Sequence, residues 1–218
     1  MARRCSFVKR TNKKNRNRTR TRNRTNKKNR TKRINQKGGA FELKDTLAGH
    51  SGRVWSVAFH PTAPLLATGF GDKTAKLWRF SPAGSTEPEC VATLAEHSNS
   101  VRSVAFHPTE SLLATGSADN TAKLWRYSPD GSTVKRVATL RGHIDSVLSV
   151  AFHPTALLLA TGSVDSTAKL WRFSPDGSTA TCVATLAGHS GDVWSVAFHP
   201  TAPLLATGSN DKTAKLWR

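Results

Sequence analysis

One sequence feature limits the folds open to this chain more than any other: it repeats itself. His50, His97, His143 and His189 are spaced 47, 46 and 46 residues apart. The Trp-Arg pairs beginning at Trp78, Trp125, Trp171 and Trp217 keep that spacing, as do the Phe-His pairs ending at His60, His107, His153 and His199. Each repeat reads, with small changes, ATLAGHSGxVWSVAFHPTAPLLATGSxDxTAKLWRFSPDGST. Periods of this size define repeat architectures in which each unit buries its apolar face only against its neighbours.

Inside one repeat the pattern predicts four short strands. VWSVAF and its counterparts alternate apolar and small residues, as a half-buried strand does. HPTAP turns the chain, LLATGS forms a second strand, and xDx makes a tight bend. TAKLWR is a third strand, and SPDGST turns into a fourth, CVATL. Pro and Gly fall in the turns and not within strands. The chain meets the first repeat through Phe41-Glu42-Leu43-Lys44-Asp45-Thr46-Leu47, a fourth strand without its own blade.

The Gly-His pair, the turn Asp and the Leu-Trp-plus-charge ending resemble WD40 repeats, with Trp-Arg in place of the usual Trp-Asp in all four. The resemblance covers about residues 41–218 and implies an all-β fold of four four-stranded antiparallel blades, at about 41–87, 88–133, 134–179 and 180–218. It also implies a hydrogen-bonded tetrad in each blade. Carried onto this sequence, these are His50, Thr68, Asp72 and Trp78; His97, Thr115, Asp119 and Trp125; His143, Thr161, Asp165 and Trp171; and His189, Thr207, Asp211 and Trp217. Ser117, Ser163 and Ser209, two residues beyond the Thr, compete for its place, and Phe70 at that position in the first repeat favours the Thr. Glu96, standing where Gly precedes His in the other repeats, predicts a distorted loop in blade two. The Arg after each Trp points to the opposite side of its strand, so its replacement of Asp is expected to be mild.

All eight histidines fall at two repeat positions, so the fold accounts for them without chemistry, and no blade holds a unique His, Asp and Ser set. The chain is therefore expected to be no enzyme, with no cofactor and no metal centre. Cys5, Cys90 and Cys182 lack CxxC spacing, which argues against a disulfide framework or zinc site and fits a reducing, intracellular setting. No apolar run nears the roughly 20 residues needed to span a bilayer.

WD40 propellers resemble one another in presenting varied residues on an invariant frame, at the narrow top face. Variation between repeats of one chain marks such positions directly. By this measure Arg53, Trp55, Arg102, Leu148, Asp192, Trp194 and Asn210 are the candidates for holding a protein partner, since Trp and Arg are the commonest interface anchors.

Charge separates the first residues from the rest. Residues 1–38 hold 17 of the chain's 33 Lys and Arg and none of its 14 Asp and Glu, leaving 16 basic against 14 acidic residues beyond them. Such one-signed, apolar-poor composition cannot bury enough surface to offset the entropy of ordering, so the segment reads as disordered alone. Arg16, Arg18, Arg20, Arg22, Arg24, Lys27, Lys28, Arg30, Lys32 and Arg33 are the candidates for contacting nucleic acid or another polyanion. The cluster Lys27–Arg33 also passes as a nuclear or nucleolar import signal, and Gly38-Gly39-Ala40 as a joint or a protease site. Two functions follow: a non-catalytic protein-interaction scaffold whose basic tail contacts nucleic acid or ribonucleoprotein, or a structural part of a particle such as a virion. Four blades are few for wedges of this kind, so two chains closing an eight-bladed homodimeric ring come first, then an open arc held by a partner, then a four-bladed monomer.

Overall fold

The computed structural model describes residues 43–81 and 87–218. The nucleic-acid candidates Arg16 to Arg33, the Gly38-Gly39 joint and Cys5 lie outside the described residues, which form one compact unit from Leu43 to Arg218. Every regular element in it is a strand.

Blade one consists of β1 (Val54–Phe59), β2 (Leu65–Phe70), β3 (Ala75–Arg79) and β4 (Glu89–Leu94). Blade two holds β5 (Val101–Phe106), β6 (Leu112–Ser117), β7 (Ala122–Tyr127) and β8 (Val134–Leu140). Blade three holds β9 (Val147–Phe152), β10 (Leu158–Ser163), β11 (Thr167–Phe173) and β12 (Ala180–Ala187). Blade four holds β13 (Val193–Phe198), β14 (Leu205–Ser209) and β15 (Ala214–Trp217). Within each sheet sequential strands pair antiparallel, with the first strand at one edge. Each sheet is thus offset by one strand from the sequence repeat: its fourth strand opens the next repeat.

Two expectations about strands need correction. Blade four has three strands among the described residues rather than four. Leu43–Leu47, the described part of the predicted orphan strand, lies in no strand. The reason is the offset: a fourth strand pairs with the third strand of the preceding blade, and nothing described precedes blade one.

Blades stack through alternation. On the second strand, the forward-facing residues after the first Leu are Ala and Gly: a Cβ added at Gly69 would meet Val101 and Val104 of the next blade at 3.0 and 3.2 Å, and one at Gly116 would meet Val147 and Val150 at 2.9 Å. The apolar core is accordingly three successive inter-blade layers. Leu65, Ala67 and Leu77 of blade one pack on Val101, Val104 and Trp125 of blade two. The same arrangement recurs between blades two and three, and between three and four.

The Arg of the Trp-Arg pair has a role between blades that its strand position does not suggest. Arg126 donates from Nε to the Asp176 carbonyl at 3.2 Å and from a terminal nitrogen to that of Pro175 at 2.9 Å, gripping the turn of the next blade. Arg79 pairs with Glu89 at 2.8 Å and reaches Asp130 of the next blade at 4.0 Å. Those turns sit tightly on the neighbour, with Gly131 and Gly177 at φ +72° and +71° packed against Leu65 and Leu112. Asp130 and Asp176 accept from the Ser hydroxyls of their own turns, which holds both carboxyls down at about 2.

Candidate functional site

Each blade carries a polar link between its outer loop and its sheet. In blade two, His97 Nδ1 lies 2.7 Å from Asp119 Oδ2 and Nε2 lies 2.7 Å from Thr115 Oγ1, while Trp125 Nε1 donates to the same Thr oxygen at 2.9 Å. An ionised carboxylate only accepts, so Nδ1 carries the imidazole proton and Nε2 accepts the Thr hydroxyl's. Asp119 further accepts from the Thr121 hydroxyl at 2.6 Å and from the Ser98 amide at 3.0 Å. Burial alone pushes the Asp119 carboxyl up, but these bonds together outweigh it and hold the carboxyl below its ordinary range. Desolvation lowers His97 and His143, against the pull of their Asp partners, so both favour the neutral form. Blades three and four repeat the geometry: His143 with Asp165 and Thr161, each at 2.7 Å, and His189 with Asp211 and Thr207 at 2.7 and 2.8 Å. Trp171 and Trp217 donate to Thr161 and Thr207 at 2.9 Å.

Blade one differs. His50 Nδ1 reaches Asp72 at 3.1 Å, and Trp78 donates to Thr68 at 2.7 Å, but His50 and Thr68 are not joined. Thr68 turns its hydroxyl to the Lys76 carbonyl at 3.4 Å, and His50 Nε2 is buried with no partner. Phe70 is the cause. In the other blades its place is taken by Ser, which accepts from the turn Asp amide and donates to the outer loop, as Ser117 does to Asn99. Phe70 can do neither, and its ring stacks on His50. Blade two keeps its links: Glu96 ion-pairs with Arg136 and His97 stays on Asp119, while Glu96 lacks the positive φ that Gly49 and Gly142 adopt at the same place.

The Phe-His histidines serve turns. His60 Nδ1 accepts from the amides of Thr62 and Ala63 at 3.0 and 2.8 Å, and His107, His153 and His199 do the same in their own turns. No cluster of three or more metal-ligating side chains occurs among the described residues. Cys90 and Cys182 are free and exposed. No helix of the described residues is long and apolar enough to cross a membrane.

The variable positions gather at one end of each blade. The Gly71 amide donates to the Arg53 carbonyl at 2.8 Å and the Asn210 amide to that of Asp192 at 2.9 Å, with Ala118–Ser100 and Val164–Ser146 equivalent. Immediately beyond, the first strand is bulged in every blade, between Val54 and Ser56, Val101 and Ser103, Val147 and Ser149, and Val193 and Ser195. The extra residues are Trp55, Arg102, Leu148 and Trp194. A bulge takes its residue out of the ladder and re-aims the side chain. Trp55 and Trp194 are 43% and 57% exposed. The Arg102 guanidinium lies 4.1 Å above the Trp55 ring, with its Nε buried and unpartnered.

Ile144 belongs with them, although the sequence reading did not include it. It follows His143 where the other repeats have Ser51, Ser98 and Ser190, and it is 85% exposed. The signal was in the sequence as the same within-chain variation that marked Trp55.

A chain of sequential antiparallel blades, each tied to its outer loop by His, Asp, Thr and Trp and each presenting one changeable residue on a bulge, is a repeat-built β-propeller. Residues 41–79, 88–126, 134–172 and 180–218 match the model of the WD domain, G-beta repeat, and the chain belongs to the WD40 family. It is similar, at 51% identity over 43 residues, to the probable cytosolic iron-sulfur protein assembly protein Ciao1 of Anopheles gambiae, covering 20% of this chain and 13% of that protein. It is similar at 48% over 48 residues to the periodic tryptophan protein 2 homolog of Schizosaccharomyces pombe, covering 22% and 6% respectively. A probable cytosolic Fe-S cluster assembly factor of Schizosaccharomyces japonicus matches at 51% over 37 residues, 17% of this chain and 6% of its own length. The chain thus spans well under a fifth of each of these relatives, about one repeat, and the likeness is one of blade frame.

Proposed function

We propose that this chain is a non-catalytic protein-interaction scaffold, that its partner sits on the bulge row Trp55, Arg102, Leu148 and Trp194, and that residues 1–38 contact nucleic acid or another polyanion. The row carries the reading: one backbone device, repeated four times, presents four side chains of which two are exposed Trp and one is an Arg stacked on Trp. Arg53, Asp192 and Asn210 stand at its rim, and WD40 membership supports the scaffold role. The repetitive use of every His and turn Asp supports absence of catalysis. The cytoplasm is the compartment we favour, supported by relatives named for cytosolic assembly.

Quantitative comparison of proteins captured by the native chain and by Trp55→Ala/Trp194→Ala tests the row. A specific partner is expected to fall by about 10-fold or more; an unchanged set of partners would overturn the reading. For the basic segment, affinity for a generic single-stranded nucleic acid is expected to fall steeply with salt. Removing residues 1–38 should abolish both binding and slope, and retention of either would remove the polyanion assignment.

A further inference from the structure

The two ends of the arc expose what its interior buries. Val54, Val57 and Phe59 on β1 are 56%, 62% and 68% exposed, although Val101 and Val104 on β5, the equivalents of Val54 and Val57, are 0% and 5% exposed beneath blade one. At the other end Leu216 is 73% exposed, whereas Leu77 and Leu124, at the same repeat position, are fully covered by the following blade. A Cβ added at Gly69, Gly116 or Gly162 would meet two Val side chains of the next blade, whereas one at the equivalent Gly208 would meet only its own blade's Ser195.

These are not two unrelated apolar patches. The backward face of blade one and the forward face of blade four are the two halves of an interface that the chain makes three times internally. The polar pairing repeats as well: Ser56, Ser103 and Ser149 accept at Oγ from the amides of Val104, Val150 and Val196 in the next blade, at 3.1–3.2 Å. Ser195 is the fourth member and is exposed. Finally, β15 carries no fourth strand among the described residues, while Leu43–Leu47 stands unpaired immediately before His50, the place from which every other fourth strand comes.

We propose that the occupant of both faces is a second copy of this chain, joined head to tail twice, so that two four-bladed arcs close one eight-bladed ring. Val54 and Val57 of each copy pack over Gly208 and Leu216 of the other, and the Val57 amide donates to the other copy's Ser195. Leu43–Leu47 of each copy adds to the other's β15. Its register follows from blade one, where Ala75 faces Leu94 and Lys76 faces Thr93: Ala214 faces Leu47 and Lys215 faces Thr46. Eight blades lie within the range over which propellers close, and two identical head-to-tail contacts form a closed ring under twofold symmetry and leave no open blade. The ring rests on the end faces of the arc and not on the scaffold reading; Trp55, between Val54 and Val57 on β1, stands at the rim of the contact.

The test is the solution mass of the full chain, free of nucleic acid and in high salt, by light scattering on a sizing column. A mass twice that of the chain is expected. Val57→Asp and Leu216→Lys each place a charge in both contacts of their own dimer, and each is expected to weaken dimerisation by about 100-fold or more. Both positions are exposed in the single arc, so circular dichroism should show both variants folded. Mixing the two variants restores the dimer, because one contact then brings the introduced carboxylate against the introduced ammonium and the other contact is native. Amide exchange at residues 43–47 and 214–217 slows in the native chain and in the mixture, and in neither variant alone. A monomer, a dimer indifferent to both substitutions, a mixture that fails to recover, or an open series of larger assemblies would each overturn the ring.

Discussion

Thr115 does more than its size suggests, since one hydroxyl oxygen accepts from Trp125 and donates to His97, both buried. Thr115→Val strands an indole N–H and an imidazole nitrogen, each costing about 1–3 kcal/mol. We expect a loss of about 2–4 kcal/mol in urea denaturation. Thr68→Val strands the Trp78 N–H and gives up the long bond to the Lys76 carbonyl, but strands no imidazole nitrogen because His50 is already without its Thr, and should cost less. Equal losses would show that the His–Thr bond contributes nothing. Another residue-scale strain sits just past the turn Asp, where Lys73, Asn120, Ser166 and Lys212 adopt φ between 65° and 72°. Asn suits that conformation, and Asn120 also donates to the Ile144 carbonyl of the next blade at 3.2 Å. Ser166→Asn is therefore expected to stabilise by about 0.5–1 kcal/mol, read as a higher urea midpoint with unchanged slope.

At the scale of the element, the stack of blades depends on second strands that carry Ala and Gly where the next blade's Val pair packs. Gly116→Ala drives a methyl to 2.9 Å from Val147 and Val150, two β-branched side chains with little room to move. Overpacking of this kind costs about 1–3 kcal/mol, measurable as a lowered unfolding midpoint; a neutral outcome would mean that the layers are looser than their contacts. The Arg side chains act between elements too. Arg126→Ala removes two bonds to the blade-three turn and should cost about 1 kcal/mol, whereas Arg172 is exposed and its removal should be nearly silent. A reversed order would deny the Arg its inter-blade role.

For the whole molecule, the buried His links set a pH dependence. His50, His97 and His143 all have lowered pKa values, with desolvation the largest cause. The unfolded chain therefore takes up protons first as pH falls. Stability from these groups is complete above the unfolded value of about 6.5 and declines as pH drops from there toward the folded values. Asp72, Asp119 and Asp165, also lowered, add a second decline in the same direction below about pH 4. Urea midpoints should fall between about pH 7.5 and 5.5, and a rise would contradict neutral histidines. Gly208→Ala belongs to this scale as well: its methyl meets no other blade of its own chain, so it should weaken the dimer while leaving the dissociated chain's stability unchanged.

The repeat was legible because its cause is local. Strand alternation, turn chemistry and the tetrad positions depend on residues within one period of about 46 residues, and four copies made each assignment four times. The positions open to variation were legible for the same reason, Ile144 included, since it departs from the Ser of the other three repeats. What sequence could not show was anything requiring two groups to compete for one volume. Phe70 read as a mere absence of Ser; only the structure shows that in its blade His50 and Thr68 are not joined. Arg126 read as a strand residue facing away, and only the neighbouring blade's turn gives it carbonyls to hold. The orphan strand is the sharpest case. Its sequence specifies a fourth strand, but a strand needs an edge to pair with, and Leu43–Leu47 has none within its own arc. The sequence alone determined the blades and their polar links; the tertiary structure alone decided which faces remain uncovered, because burial belongs to neighbours and the end blades of an arc each lack one.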